Sequence, residues 1–358
     1  MKIERIDTWR SDVALARPYT IATRTISAVE LFFVRLQAAD GTCGFGSASP
    51  AEGVTGESAD ACAAALSAER LAWLRGRDGR HLGALCRELR TTLPDTPAAR
   101  AAVDMALHDL CARISGIPLA DLLGRCHSAL PTSITVGIQS TETALEETEE
   151  YLARGFRCLK IKVGLDLDED LERLAKLRQL AGPEVKIRVD ANQGYDAAAA
   201  RRFDQATAAL DLELIEQPLA AAAVDAMRSL PEDLRRRIAA DESLLGERDA
   251  LELVQRPAAC GIFNIKLMKC GGVSSALAIA TIAETAGVEL MWGCNDESAI
   301  SIAAALHAAY ACPTTRYLDL DGSFDLASDP ARGGFVVDNG VLRTTDAPGL
   351  GIDFDEPP

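Results

Sequence analysis

The sequence predicts an α/β fold built on a (β/α)8-type barrel, with a mixed α+β segment before it. The first observation is a rhythm: from residue 133 onward, eight short apolar runs alternate with amphipathic stretches at intervals of 24 to 28 residues. The second is that neither GxGxxG nor GxxxxGK[ST] occurs, which leaves the open doubly wound sheet as the less supported alternative. The runs cover residues 134–138, 158–164, 186–192, 212–218, 238–243, 262–267, 289–294 and 317–321.

The segment before the barrel has the pattern of three strands followed by three helices. Strand patterns lie in MKIERIDTWRSDVAL, VELFFVRLQ and CGFGSASP, and a turn signal at 39–41 joins the last two. Helical patterns lie near 57–72, 79–92 and 97–115. We therefore expect a first domain at 1–125 and a barrel at 126–330. The Gly- and Asp-rich tail 331–358 is expected to return to the first domain, where its run GGFVV would add a strand.

Composition excludes several classes of function. The 358 residues are 48% hydrophobic, enough for a large core and two domains. A net charge of −16 opposes binding to nucleic acid or an anionic membrane, so the expected partner is a small molecule. The N-terminus lacks an apolar signal core, and no run reaches the ~18 apolar residues of a membrane helix. Ten scattered cysteines without a CxxC pair predict reduced thiols in a cytoplasmic protein, which we expect to be a homo-oligomer.

Three acidic residues end successive strands of the predicted barrel. They are Asp190 in IRVDAN, Glu216 in LELIEQP and Asp241 in IAADES. Neighbouring strands lie ~4.8 Å apart, so the three carboxylates can converge on one point. Helix capping is the alternative role for such acids, but it explains one of them better than three in succession. Oxygen ligands without His or Cys suit Mg²⁺, or Mn²⁺, rather than zinc.

Lysines flank these acids on both sides. Lys160 and Lys162 are two apart on one strand and point the same way, while Lys266 ends strand six on the opposite wall. A divalent cation can stabilise the enediolate formed when a proton leaves the carbon beside a carboxylate. A lysine near other cations has a lowered pKa and can act as the base. Lys162 and Lys266 are therefore predicted to pass a proton between two faces of one carbon, which inverts it. Lys269 is expected to be a solvent-facing loop residue.

Together these motifs resemble the enolase superfamily, in its muconate lactonising subgroup, over nearly the whole chain. The resemblance rests on the acid triad, the KxK pair, Asp-Ala-Asn at 190–192, Asp-Glu-Ser at 241–243 and Lys-x4-Gly-Gly at 266–272. It implies a modified (β/α)7β TIM-type barrel with an N-terminal α+β capping domain, a Mg²⁺ cofactor and isomerase chemistry. No His follows strands six or seven, which disfavours the branch that pairs a lysine with a His–Asp dyad.

The residues at the end of strand eight indicate one group of enzymes within this superfamily. YLDLDGSF places Asp319 and Asp321 two apart, similar to the DxD motif with which dipeptide epimerases hold the α-ammonium group of the substrate. Two carboxylates facing one cation fit that role, whereas a β-turn before glycine would explain Asp321 alone. The same resemblance implies that Lys160 binds the substrate carboxylate and that Thr135 lies in the pocket.

Residues at the rim of the predicted pocket would determine which side chain the substrate can have. The resemblance places Arg24 and the segment 54–58 in loops that close over it, and Arg24 matches the arginine that meets glutamate in Ala-Glu epimerases. Acids also gather there: Glu52 in the capping loop, and Asp296 before Glu297 at the mouth of strand seven. Such acids favour a cationic side chain and repel glutamate. We expect a Mg²⁺-dependent dipeptide epimerase that inverts the α-carbon of the C-terminal residue and prefers cationic dipeptides.

Three alternatives stay open. An L-Ala-D/L-Glu epimerase would share the whole site and differ in the rim. An N-succinylamino acid racemase or an o-succinylbenzoate synthase would keep the lysines and the metal but would have no use for Asp319 and Asp321. A barrel that only binds a ligand is the third alternative, and the pair of bases argues against it because binding alone needs none.

Overall fold

The capping domain is built on a three-stranded antiparallel sheet. The computed structural model describes residues 1–21 and 24–354, and the side chains of residues 18–26 lie outside that description. The strands are β1 (Ile3–Ile21), β2 (Arg24–Ala38) and β3 (Cys43–Ala48), in that order across the sheet. The three predicted strands are confirmed. The helices that follow are α1 (Glu52–Thr55), α2 (Ala59–Ala65), α3 (Leu82–Thr92), α4 (Pro97–Ser115) and α5 (Leu119–Leu123).

Helix α4 is buried and packs directly on β3. A Cβ atom at Gly46 would lie 1.9 Å from the carbonyl oxygen of Ala102, so the strand and the helix touch backbone to backbone. The predicted helix at 57–72 is shorter than expected, because Glu57 lies before it and caps α4 instead. The Glu57 carboxylate accepts hydrogen bonds from the N–H groups of Ala98 (2.6 Å) and Ala99 (3.2 Å).

Eight parallel strands close into a barrel. A short strand, β4 (Leu130–Pro131), precedes them and belongs to another sheet. The barrel strands follow one another in chain order around the sheet, and a bridge from Thr132 to Leu318 joins the last to the first. They are β5 (Ile134–Val136), β6 (Cys158–Lys162), β7 (Lys186–Asp190), β8 (Leu212–Glu216), β9 (Ile238–Ala240), β10 (Ile262–Ile265), β11 (Glu289–Gly293) and β12 (Thr315–Asp319).

Helices join each barrel strand to the next. They are α6 (Thr141–Ala153), α7 (Leu167–Ala181), α8 (Ala197–Ala206), α9 (Val224–Arg228), α10 (Glu232–Arg237), α11 (Glu247–Leu253), α12 (Leu267–Cys270), α13 (Val273–Ala286) and α14 (Ala299–Tyr310). In the described part of the chain no helix follows β12, which confirms the (β/α)7β form. Within those same residues, no helix is both long and apolar enough to cross a membrane.

The tail forms four short strands, and the expectation for GGFVV is wrong. The strands are β13 (Ala331–Gly333), β14 (Phe335–Asp338), β15 (Val341–Thr344) and β16 (Ile352–Phe354). β14 pairs with β15, and β15 pairs with β4, so the run adds no strand to the capping sheet. The reason is local: Asn339 and Gly340 both have positive φ, as a tight hairpin turn requires. The ring of Phe354 reaches the capping sheet instead and packs 5.1 Å from Trp9.

Contacts on two sides hold the capping domain over the C-terminal end of the barrel. Strand β1 bridges to the loop after β12, where the N–H of Ala16 donates to the carbonyl of Asp325 at 2.7 Å. On the other side, Asp104 of α4 accepts hydrogen bonds from the N–H (3.2 Å) and hydroxyl (2.6 Å) of Ser274. The long β1–β2 hairpin is therefore tied to the segment that follows Asp319. The domain boundary at 125/126 stays a prediction.

Candidate active site

Three buried carboxylates lie at the C-terminal end of the barrel on neighbouring strands. Asp190 ends β7 and stands in register with Glu216, which ends β8. Asp241 follows directly after β9. Each of the three is at most 2% exposed. The strand rhythm brings the predicted acids to one place, because the C-terminal ends of parallel strands meet at one edge.

Nearby lysines lower the pKa of two of these carboxylates, whereas the pKa of the third is raised. Burial alone would raise the pKa of Asp190, but the two lysines of β6 outweigh it and lower the pKa to about 2. Burial is likewise outweighed at Asp241, where the two lysines after β10 hold the pKa well below its usual range. For Glu216, burial and the neighbouring Asp190 raise the pKa to about 8. Of the three carboxylates, Glu216 is therefore the one whose negative charge the lysines stabilise least.

The donor set fits a hard divalent cation. Oε1 of Glu216 accepts a hydrogen bond from Asn264 Nδ2 at 2.8 Å. Oε2 is buried and forms an ion pair with Lys160 Nζ at 2.8 Å, but within the described residues it accepts no hydrogen bond of good geometry. Burial of this carboxylate is costly, as its raised pKa shows, and a cation bound to Oε2 would reduce that cost. Asp190, Glu216 and Asp241 would hold Mg²⁺ through oxygen atoms alone, as this ion prefers.

Lysines face the carboxylates from two walls of the barrel. On β6, Lys160 is buried with its Nζ 3.1 Å from Asp190 Oδ2, and Lys162 donates to the same oxygen at 2.7 Å. The Lys162 side chain is 29% exposed, so it borders the open side of the site. Lys266 follows β10, four strands away, and donates to Asp241 Oδ2 at 2.9 Å. The lysines thus lie on both sides of the carboxylate cluster.

The pKa of Lys266 is raised, contrary to the expectation of a lowered value. Burial lowers it, but the nearby Asp241 outweighs burial and the charge of Lys160. The direct contact with the Asp241 carboxylate, which arises only on folding, has a larger effect than the neighbouring cations. A cation shared by the same carboxylates would take up the negative charge that causes the rise.

Lys269 is buried, and its expected place in a solvent-facing loop is wrong. The residue is 4% exposed, and its Nζ donates to the carbonyl and Oδ1 of Asp241 and to the carbonyl of Asn264. It lies in the one-turn helix α12, three residues after Lys266. Residues three apart on a helix share a face, so the turn that presents Lys266 to the site also brings Lys269 inward.

Asp319 ends β12 and Asp321 follows two residues later, and the two carboxylates have different partners. Asp319 Oδ2 accepts from Lys160 Nζ at 2.7 Å, and its Oδ1 accepts from the hydroxyl of Ser133 at 2.6 Å. Asp321 Oδ2 accepts from the backbone N–H of Thr135 at 2.8 Å. Burial and the charge of Asp319 raise the pKa of Asp321 to about 7. Of the pair, Asp321 has the carboxylate with fewer cationic contacts.

The predicted rim residues occupy different environments. Glu52 is exposed at the start of α1, and Asp296 is half-buried, with its carbonyl accepting from the hydroxyl of Ser49 at 2.7 Å. That bond ties the mouth of β11 to the capping loop. Glu297 is buried, and its carboxylate accepts from the N–H of Asn295 at 2.8 Å, inside its own loop. The side chain of Arg24 lies outside the described residues, so its predicted role stays a prediction.

Two asparagines of the site were not predicted. Asn264 stands two residues before Lys266 and holds Glu216, while Asn192 stands two residues after Asp190 and contacts Lys162. The alternation of side chains along a strand is the signal that finds Asn264, since residues two apart share a face. For Asn192 the signal is an asparagine directly after a strand, where its φ of 39° is tolerated.

Two protein-family models match nearly the whole chain. The first describes the N-terminal domain of mandelate racemase/muconate lactonizing enzyme and matches residues 5–124. The second is described as enolase C-terminal domain-like and matches residues 143–357.

Among curated proteins, the chain is 57% identical over 352 residues to the L-Lys-D/L-Arg epimerase of Methylococcus capsulatus, covering 98% of this chain and 99% of the relative. It is 36% identical to the L-Ala-D/L-Glu epimerase of Bacillus subtilis, covering 98% and 97%. A crystal structure of the dipeptide epimerase from Methylococcus capsulatus, complexed with Mg and the dipeptide L-Arg-D-Lys, superposes with a TM-score of 0.98 at 56% identity, covering 99% of this chain and 100% of that one.

Proposed function

This chain belongs to the mandelate racemase/muconate lactonizing enzyme family of the enolase superfamily, and from that premise we propose a Mg²⁺-dependent epimerase of cationic dipeptides. The observation that carries the proposal is the pair of lysines, Lys162 and Lys266, on opposite walls of one carboxylate cluster. The substrate class is supported by 57% identity to an L-Lys-D/L-Arg epimerase and by the dipeptide-bound structure of the Methylococcus capsulatus protein.

The reaction moves one proton at the α-carbon of the C-terminal residue. Lys162 or Lys266, as the neutral amine, accepts the α-proton from one face, and the other, as the ammonium, donates a proton to the opposite face. The carbon is thereby inverted. Lys160, buried on β6 two residues before Lys162, would bind the substrate carboxylate. When bound by Asp190, Glu216 and Asp241, Mg²⁺ supplies positive charge that stabilises the negative charge developing on that carboxylate.

The far end of the substrate is held by its ammonium group. Asp321 would pair with this group directly, because its side chain is half-buried and its carboxylate contacts the backbone of Thr135 rather than a lysine. Asp319, already paired with Lys160, would add negative charge behind it. An N-acylated amino acid has no ammonium to offer here, so this end of the site favours a dipeptide with a free N-terminus.

The preference for cationic side chains rests on acids at the rim and on the relatives. Glu52 begins α1 of the capping domain and Asp296 follows β11, and the hydrogen bond from Ser49 to the carbonyl of Asp296 joins these two loops. Their charges, within a chain of net charge −16, raise the local concentration of cationic dipeptides and repel glutamate. The alternative substrate is L-Ala-L-Glu. It is supported by 36% identity to an L-Ala-D/L-Glu epimerase and by the resemblance of Arg24 to the arginine that meets glutamate in such enzymes. A cytoplasmic location, a homo-oligomer and the absence of nucleic acid and membrane partners stay predictions.

A panel of dipeptides in D₂O tests the proposal. With Mg²⁺ present, L,L-dipeptides ending in Lys or Arg should lose their α-proton signal and yield the L,D-epimer, with kcat/KM at least about tenfold above that for L-Ala-L-Glu. N-succinyl-L-Arg and N-succinyl-L-Lys serve as the competing class, because the chain is also 29% identical to an N-succinyl-L-Arg/Lys racemase of Bacillus cereus. Turnover of the succinylated substrates without turnover of dipeptides would contradict the assignment, and a protein with both Lys162→Ala and Lys266→Ala is the blank.

A further inference from the structure

The two lysines that would move the proton are held differently. Lys162 Nζ donates to two acceptors, Asp190 Oδ2 at 2.7 Å and Asn192 Oδ1 at 2.8 Å. Among the described residues, Lys266 Nζ donates a hydrogen bond to Asp241 alone. An amide oxygen therefore accepts a hydrogen bond from Lys162, whereas no amide within the described residues accepts one from Lys266.

The orientation of the Asn192 side chain is set by its neighbours. Its Nδ2 donates to Glu242 Oε1 at 3.2 Å, and its backbone N–H donates to Asp190 Oδ1 at 3.0 Å. An ammonium group can only donate and a carboxylate accepts, so the amide oxygen must face Lys162 and the amide nitrogen must face Glu242.

The backbone that carries Asn192 is fixed as well. Asn192 and Gln193 both have positive φ, 39° and 70°. The N–H of Gln193 donates to the carbonyl of Gln217 at 2.8 Å, and its side-chain Oε1 accepts from the N–H of Ala221 at 2.8 Å. Asn192 thus projects from a loop that is anchored to the next βα connection, although its own side chain is exposed at the open side of the site.

We propose that Asn192, oriented by Glu242, is a positioning residue for Lys162 and acts on one of the two proton-transfer faces only. The inference rests on the proposed function. A neutral lysine amine has two N–H groups and one lone pair. With one N–H on Asp190 and the other on Asn192, the lone pair points away from both acceptors, into the space between Lys162 and Lys266 where the α-carbon would lie. Without the Asn192 amide, the Lys162 amine can rotate, and its lone pair points at the α-proton for a smaller fraction of the time.

The consequence is an asymmetry that loss of general stability cannot produce. In a two-base reaction each epimer loses its α-proton to a different lysine, so solvent exchange can be followed separately from each epimer. The epimer served by Lys162 is identified as the one that no longer exchanges in a Lys162→Ala protein. Removal of the Asn192 amide should slow exchange from that same epimer and spare the other.

The test compares Asn192→Gly with Asn339→Gly in D₂O, using L-Arg-L-Lys and L-Arg-D-Lys with saturating Mg²⁺. Both asparagines have positive φ, which glycine adopts without strain, and Asn339 is exposed in the β14–β15 hairpin, outside the site. For Asn192→Gly we expect exchange of the epimer served by Lys162 to fall roughly 10- to 100-fold and that of the other epimer to change less than about threefold. Asn339→Gly should resemble the wild type with both epimers.

Calorimetric titration with Mg²⁺ should give a similar affinity for Asn192→Gly and the wild type, which separates positioning from metal binding. An equal fall with both epimers, or no fall, overturns the inference. If the glycine variant does not fold, Glu242→Ala carries the same comparison with a smaller one-sided loss, about 3- to 10-fold, and a symmetric loss overturns it. A wild-type protein that exchanges neither epimer overturns the proposed function instead.

Discussion

Replacing Asp321 by asparagine would remove one negative charge from the pocket and keep its shape. The asparagine carbonyl can still accept from the N–H of Thr135, which Asp321 now does at 2.8 Å. Losing one member of a buried charged pair costs about 2–5 kcal/mol. Because Asp319 stays in place behind the ammonium, we take about 3 kcal/mol, which corresponds to a roughly 150-fold fall in kcat/KM for L-Arg-L-Lys. The initial rate of epimer formation, followed by ¹H NMR, gives this ratio.

The same carboxylate predicts a pH dependence of substrate binding. Burial and Asp319 raise the pKa of Asp321 to about 7, so the free enzyme loses this negative charge as the pH falls from 8 to 6. A neutral carboxyl group cannot pair with an ammonium group, and KM should therefore rise over this range in the wild type but not in Asp321→Asn. A loss below about fivefold at pH 8, or an equal rise of KM in both proteins, would refute the assignment of Asp321 to the substrate ammonium.

Three further outcomes are expected. Lys269→Met should destabilise the fold by about 3 kcal/mol, since it breaks a buried pair with Asp241, whereas Lys176→Met, in an exposed pair, should cost less than about 1 kcal/mol by thermal denaturation. Burial lowers the pKa of His307 to about 4, so between pH 6.5 and 4 the unfolded chain binds a proton that the folded chain does not. The free energy of unfolding, measured by urea titration, should therefore fall by about 2 kcal/mol from pH 7 to pH 5, and His307→Gln should remove that loss. Asp296→Lys should shift the ratio of kcat/KM for L-Arg-L-Lys over L-Ala-L-Glu down by roughly 10- to 100-fold, and an unchanged ratio would exclude this residue from side-chain selection.

The strand ends were predictable because parallel barrel strands are buried on both faces. Such strands appear as apolar runs, and a charged residue at the end of a run stands out. Asp190, Glu216 and Asp241 were found in this way, and so was Lys162, which ends β6. The alternation of side chains then placed Lys160 on the same face as Lys162, and the structure confirms both beside Asp190.

Other features could not be predicted from the spacing of apolar runs, because they depend on short-range geometry and on packing. Lys269 turns inward because a single helical turn follows β10, and periodicity cannot detect so short a helix. Glu57 caps α4 across 41 residues of chain, a contact that only the packing of the domain creates. The hairpin at Asn339 and Gly340 did have a sequence signal, the Asn-Gly pair, which outweighs the apolar character of GGFVV. The different roles of Asp319 and Asp321 follow from the contact of Asp319 with Lys160, which the spacing of the two residues does not predict.

The central claim is that two lysines serve opposite faces of one carbon. The most direct measurement follows α-proton exchange in D₂O from L-Arg-L-Lys and from L-Arg-D-Lys in Lys162→Ala and in Lys266→Ala, with Mg²⁺ present. Each variant should exchange one epimer and not the other, the two should select opposite epimers, and neither should interconvert them. Exchange of the same epimer by both variants, or epimerisation that survives either substitution, would contradict the account.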